Sequence, residues 1–435
     1  MDLSIKAWRL PFLFIAVLAV ACSAPASPSE LAAGPAQVTP AVPGVGPQNE
    51  LAKPRAPGIQ SGVEQSIEKV TQNPLALRTP DTPPPAVDIS ISVVPVEDVV
   101  FDTFRGGFVR LSVADSRTIE ALRDRIKPIY EPIYGPVKEG DWLMDRDLVI
   151  GYVGPDSGSA FAYPVKMLNL HEIVNDVIDG RPVLISYCPL CASGVVYDRE
   201  LNGEVLLFGN TSALYQSDLV MYDHQTGSYW FQVLGEAIVG PLSGQRLIML
   251  PSVTVEWGLW KELYPETQVL SRNLGLLGGG FGNPYARDSF RGYQEVVNSG
   301  RFAFPVDESK LDDRLLPGDR VIAVQVGQTH KAYRLTGSPD RVINDVVAER
   351  KIVIIIRDDG QSGFAYFADR DGRSLTFSLA NGALVEDATK SQWDESGKAV
   401  SGKLQGAQLK AVPSRTSFWF SLVGSLPGIE LHVPN

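Results

Sequence analysis

Cysteine, histidine and methionine are all scarce in this 435-residue chain, which has three, four and five of them. Three cysteines exclude a small scaffold held by several disulfides. They also leave no second Cys pair to complete a four-cysteine zinc site beside Cys188 and Cys191. Basic charge is short as well. Lys and Arg number 39 against 50 Asp and Glu, for a net charge of -11. Such a chain is a poor partner for nucleic acid and for anionic lipid headgroups. Long apolar runs are missing beyond the N-terminus, so no later stretch is expected to cross a membrane as a helix. No Ser-His-Asp arrangement or paired-carboxylate pattern stands out. Gly278–Gly282 lacks the flanking strand, helix and Lys of a phosphate-binding loop and reads as a flexible connection.

One of the three cysteines ends a signal-like segment. Lys6 and Arg9 precede the apolar run Leu10 to Ala21, and Leu18-Ala19-Val20-Ala21-Cys22 closes it. A basic start, a short apolar core and small residues before a cut describe a secretory signal. A Cys at that point resembles the bacterial lipoprotein signal, in which Cys22 is acylated and becomes the mature N-terminus. Residues 1–22 are therefore expected to direct export. The chain would then be lipid-anchored on the outer face of the cytoplasmic membrane, or in the periplasm or outer membrane. Residues 23–85 are rich in Pro, Ala, Ser and Gly and are expected to form a disordered tether. Removing residues 1–21 takes away Lys6, Arg9 and Asp2, so the formal charge becomes 37 minus 49, or -12.

The rest of the chain is dominated by short strand-like runs: Leu148-Val149-Ile150, Val183 to Tyr187, Val195-Val196-Tyr197, Val205 to Phe208 and Ile352 to Ile356. Gly, Asp and Asn punctuate them. Helical spacing is confined to Ser116–Ile126 and to one or two turns at His171–Ile178 and Val255–Leu263. The expected fold is a β-rich α+β protein with mostly antiparallel strands.

An internal repeat is also expected. At a shift of 162, Gly235–Pro265 lies over Gly397–Pro427 without a gap, and 11 of 31 positions are identical, Trp257/Trp419 among them. Upstream, Val174-Asn175-Asp176-Val177 lies over Ile343-Asn344-Asp345-Val346. The chain thus reads as a tandem duplication packed as a pseudo-symmetric pair. Residues 90–275 form the first repeat, 276–317 a connection and 318–435 a diverged second repeat. In this register His171, Cys188, Cys191 and His224 face Asp340, Arg357, Gly360 and Asp387. The working chemistry is assigned to the first repeat.

That chemistry centres on Cys188-Pro189-Leu190-Cys191, directly after an apolar strand. In thioredoxin-like proteins such a motif opens a helix. Here Gly194-Val195-Val196 follows, which favours a turn into another strand. Strand, Cys-Pro-x-Cys turn, strand is the shape of a metal knuckle. His171 and His224 are the candidates to complete a Cys2His2 set suited to zinc, copper or iron. Ala192 excludes haem attachment, which needs His after the second Cys. Met221 is read as core, and His330 and His432 as surface residues. Tyr215, Asp218 and Asp223 are read as pocket-lining or loop polar groups.

The segments Val100-Phe101-Asp102-Thr103-Phe104, Ala162-Tyr163-Pro164-Val165-Lys166 and His171-Glu172-Ile173-Val174-Asn175-Asp176 resemble the domain-of-unknown-function 3179 family. So do residues 187–199 and 221–228. The resemblance is close over residues 95–300 and looser in the second repeat. Some members read selenocysteine in the cysteine motif, which implies redox work at Cys188 or Cys191, while others lack the second Cys. Three functions remain open. The first is thiol redox catalysis at Cys188 and Cys191 with His171 or His224, acting on a partner protein or a small molecule. The second is non-catalytic transition-metal binding by the same four residues. The third is a scaffold with a stapling disulfide.

Overall fold

The computed structural model describes residues 83–274, 283–339, 341–370 and 372–434. Cys22, the signal segment, nearly all of the tether, Gly278–Gly282 and Asp340 lie outside the described residues.

Strands dominate, and most pair antiparallel. The largest sheet runs Glu430–Leu431, Thr329–Arg334, Arg320–Val326, Ser414–Phe418, Ser193–Asp198, Arg181–Cys188, Ile173–Ile178, with Met249–Leu250 added on Ser193–Asp198. A six-stranded sheet runs Glu236–Val239, Tyr229–Phe231, Asp218–Asp223, Phe208–Tyr215, Val100–Asp102, Phe108–Arg110. Among the described residues, parallel pairing is limited to small contacts, such as Gln268–Leu270 on Ala160–Pro164 and Thr329–Arg334 on Glu430–Leu431. The described α-helices are short: Ser116–Leu122, Val165–His171, Trp257–Leu263, Tyr293–Asn298 and Trp419–Ser425. No described helix is long and apolar enough to cross a membrane. The fold is thus a β-rich, mostly antiparallel α+β protein.

The strand Arg181–Cys188 explains its own sequence. Val183, Ile185 and Tyr187 face one core with Ile150, Tyr163 and Leu168. Leu184 and Cys188 face another with Phe208, Met221, Trp230 and Phe418. A strand buried on both faces has no polar side, so it reads as an unbroken apolar run. Each such Val, Leu or Ile contributes about 1.5–3 kcal/mol of burial. Met221 is fully buried, in keeping with a core role.

Three local expectations are corrected. The Ser116 helix stops at Leu122 rather than Ile126, after an N-cap in which Asp115 accepts from Thr118 N at 2.7 Å. Asp124 then takes φ 51° and binds Asn210 instead, its N–H donating to Asn210 O at 2.7 Å. His171–Ile178 is not a helix start. His171 ends the helix Val165–His171, Glu172 turns the chain at φ 59°, and the β-branched run Ile173–Ile178 is a strand. His330 and His432 are half-buried rather than surface residues: His330 Nδ1 lies 3.1 Å from Arg415, and His432 stacks on Tyr333.

Candidate functional site

The cysteine motif forms a turn between two strands, as its residues require. Cys188 ends one strand and pairs with Ser193 at the start of the next. Cys191 N–H closes the turn on Cys188 O at 3.3 Å, and Ala192 completes it at φ 49°. The second half of the chain covers the turn: Phe418 N–H donates to Cys191 O at 2.7 Å, and Ser417 Oγ donates to it at 3.3 Å. Both cysteines are free thiols with 0–1% exposure.

A tight hairpin brings the third group. Strands Phe208–Tyr215 and Asp218–Asp223 are joined by Gln216 and Ser217, both with positive φ, a turn that normally selects Gly or Asn. Residues further along hold it in place: Asp307 N–H donates to Gln216 Oε1 at 2.7 Å, and Phe304 N–H to Ser217 Oγ at 3.4 Å. Cys191 Sγ donates to Ser217 O at 3.3 Å. One ligand atom each from Cys188, Cys191 and Asp218 lies within 4.8 Å of the others. Glu172, Ala192, Gln216 and Ser217 all hold non-glycine positive φ around this group. Each such residue costs of order 1–3 kcal/mol, and strain of this kind concentrates at functional sites.

Burial sets the protonation of the group. It pushes the Cys188 thiol up to about 11, with the charges of Asp218 and Glu172 adding to it. It raises Cys191 well above its ordinary value. Burial also pushes Asp218 up to about 7, against hydrogen bonds from the two thiols and the Leu219 N–H. Asp218 Oδ2 is buried and satisfies no hydrogen-bond geometry. Glu172, whose Oε2 accepts from Asn210 Nδ2 at 2.6 Å, is pushed up to about 8 by burial, with Asp218 and Asp102 contributing. A redox nucleophile needs a lowered thiol pKa and an open face. This pair has neither. The buried Arg415 acts on Asp218 through space, and a buried set of two thiols and a carboxylate can still hold a cation, which would replace the protons on binding. A tetrahedral ion with bonds of about 2.3 Å to sulfur and about 2.0 Å to oxygen needs ligand atoms about 3.3–3.8 Å apart. The group's ligand atoms lie within 4.8 Å of one another, and the donor set of two thiols and a carboxylate suits zinc or iron.

The histidines do not join it: the expected convergence of Cys188, Cys191, His171 and His224 is not seen, and the group that could hold an ion among the described residues is Cys188, Cys191 and Asp218. His171 is fully buried and fixed elsewhere, with Nδ1 2.7 Å from Lys127 O and Nε2 2.8 Å from Tyr285 OH. Burial lowers its pKa. His224 sits beside Tyr130 and Tyr222, 2.9 and 3.2 Å from their hydroxyls. Burial, with Arg123 contributing, pushes it down to about 4. Asp223 caps its own turn, accepting from Thr226 N at 2.6 Å and Trp230 Nε1 at 2.8 Å. Tyr215 packs on Phe231. The sequence signalled Asp218 only as one polar residue among several, and did not signal Glu172, Asp124 or Tyr130 as functional.

Fold and site together define a β-rich protein built round a buried dithiol–carboxylate group. The chain belongs to the DUF3179 family, proteins of unknown function, whose profile matches residues 123–427. That span contains Cys188, Cys191, Asp218 and the strand Ser414–Phe418 that covers them. Neither the curated proteins nor the solved structures gave a match.

Proposed function

We propose that this protein is an exported, membrane-tethered lipoprotein that holds a transition-metal ion at Cys188, Cys191 and Asp218. The observation that carries the metal reading is the convergence of two sulfurs and one carboxylate oxygen of Asp218 within 4.8 Å in a buried interior. Three protein ligands leave a fourth position for solvent or a small molecule. When bound, such an ion supplies Lewis-acid chemistry and, if it is iron or copper, one-electron chemistry. The protein's residues hold the donors in place, and the Ser414–Phe418 strand keeps water out. Export and acylation at Cys22 rest on the signal-like segment Leu10–Cys22 and the Pro/Ala-rich stretch after it. The membrane is then the partner through the lipid, and a redox protein or small molecule is the partner of the site.

Metal analysis of the purified full chain, paired with thiol titration, tests this. The expected result is about one zinc or iron per chain, lost in Cys188→Ser and in Asp218→Ala, with both thiols unreactive until the metal is chelated. Metal-free protein whose two thiols convert reversibly to one disulfide would replace the metal reading with a buried redox pair.

We further infer that the two halves arose as a tandem pair. Asn175 bridges Phe208 through its N–H and C=O at 2.8 Å each, and Asn344 bridges Phe377 in the same way at 2.9 and 2.8 Å. The turn bond from Cys191 N–H to Cys188 O at 3.3 Å recurs from Gly360 N–H to Arg357 O at 3.3 Å. Trp257 and Trp419 each open a seven-residue helix directly after a strand. The second half keeps the turn and lacks the thiols, which supports a working copy beside a structural one.

A further inference from the structure

A cavity of about 330 Å³ lies at the turn end of the hairpin formed by Arg320–Val326 and Thr329–Arg334. Arg246, His330 and Arg415 line it, and Leu234, Ile248 and Pro413 add apolar surface. Among the described residues, no carboxylate lines it. That runs against the composition of the chain, in which acidic residues outnumber basic ones by 50 to 39. The cavity beside His224 has Glu120 and Asp124 in its lining, and the one beside Pro189 has Asp147, Asp288 and Glu295.

The protons of this lining can be assigned one by one. Arg415 is 2% exposed and donates to neutral groups: Val233 O, His330 Nδ1 at 3.1 Å, and the Tyr197 hydroxyl, whose own proton goes to Gln232 O at 2.9 Å. Asp218 reaches this guanidinium only through space. A guanidinium can only donate, so His330 Nδ1 is an acceptor. Burial, with Arg415 and Arg246 contributing, pushes His330 down to about 4, so at neutral pH the ring carries one proton, on Nε2. His330 is half-buried, and its Nε2 has no partner among the described residues and keeps contact with solvent. Arg246 is exposed and uses one N–H, from Nη2, on Glu236 at 2.8 Å. Its Nε and Nη1 protons have no partner among the described residues. Two side chains of the lining thus hold accessible, unused donors, and Arg415 adds a second guanidinium charge.

An ammonium compound would meet both guanidinium charges. A neutral compound would leave them without a counter-ion. Unused donors on two side chains match the two oxygens of a carboxylate. Glu236, held at Arg246, repels the second negative charge that a phosphate monoester carries at neutral pH. The apolar part of the lining suits a short hydrocarbon body.

We propose that this cavity binds a small monocarboxylate with an apolar body, one oxygen accepting from Arg246 and the other from His330 Nε2–H. The proposal does not depend on a metal at Cys188, Cys191 and Asp218.

The test is calorimetric titration of the full chain carrying Cys22→Ser, treated with chelator and then desalted, at neutral pH in a buffer free of oxyanions. The probes are hexanoate, hexanamide and hexyl phosphate. The expected result is saturable one-to-one binding of hexanoate, with the other two at least about tenfold weaker. Arg246→Gln, at an exposed position, should weaken hexanoate by about tenfold or more, the scale of a hydrogen bond to a charged group. Glu236→Gln removes the carboxylate held at Arg246, so hexanoate should bind at least as tightly. The nitrogen NMR signal of His330 Nε2 should shift along the hexanoate titration with the same dissociation constant. The proposal is overturned if hexanoate does not saturate, if hexanamide or hexyl phosphate binds as tightly, if Arg246→Gln binds unchanged, if Glu236→Gln binds more weakly, or if the His330 signal stays still.

Discussion

Asp218→Asn should stabilise the metal-free protein, although it removes a ligand from the proposed site. Asp218 is fully buried, Leu219 N–H donates to Oδ1 at 2.7 Å, and the two thiols and the Val233 backbone offset only part of the burial cost. Burial raises the carboxyl from 3.8 to about 7 in the folded chain. A raised carboxyl binds more protons folded than unfolded between those two values, so stability falls as pH rises from about 4 to about 7. That interval of roughly three pH units, at about 1.4 kcal/mol each, sets a ceiling of about 4 kcal/mol above pH 7. Glu172 adds the same sign up to about pH 8. Asparagine keeps the acceptor for Leu219 and never ionises. Urea melts of chelator-treated wild type and variant, from pH 4 to 8.5, are the assay. The two should coincide near pH 4 and diverge as pH rises, the variant being more stable by about 2–4 kcal/mol at pH 8. Added zinc should then stabilise wild type and leave the variant much less affected. A variant less stable than metal-free wild type at pH 8 would show that the carboxylate has a stabilising partner, and the reasoning would fail.

Wild type should incorporate labelled fatty acid and Cys22→Ser should not; equal labelling would remove the anchor. Trp257→Ala and Trp419→Ala, at 2% and 0% exposure, should each cost about 3–5 kcal/mol in denaturant melts; a cost under 1 kcal/mol for either would refute their shared anchoring role. His224 has the opposite acid behaviour to Asp218. Its folded pKa is about 4 against an ordinary 6.5, so the unfolded chain takes the proton first and stability falls as pH drops from about 6.5 to about 4. His224→Phe should flatten that slope, and an unchanged slope would place the imidazole in solvent.

The cysteine pair was legible in the sequence because cysteine is so rare here, and its strand–turn–strand setting because Gly194, Val195 and Val196 cannot easily continue a helix. The strand through Val183–Tyr187 was legible from its unbroken apolar run. Its third partner was not, since Asp218 is 27 positions after Cys191. Only the positive-φ turn at Gln216 and Ser217 delivers it, and nothing in a Gln-Ser pair announces such a turn. His171 and His224 were drawn to the cysteines by scarcity and nearness in sequence, whereas the folded chain gives them tyrosine partners, Tyr285 for one and Tyr130 and Tyr222 for the other. The helix Val165–His171 was missed because its residues are nearly all buried, which removes the amphipathic spacing that marks a helix.

The metal site is tested most directly by X-ray absorption at the metal edge of the full chain as purified. The account predicts two sulfur scatterers at about 2.3 Å and oxygen or nitrogen at about 2.0 Å, with the sulfur shell lost when Cys188 and Cys191 are both replaced by Ser. A first shell with no sulfur, or a protein that retains no metal while its two thiols stay intact, would contradict it.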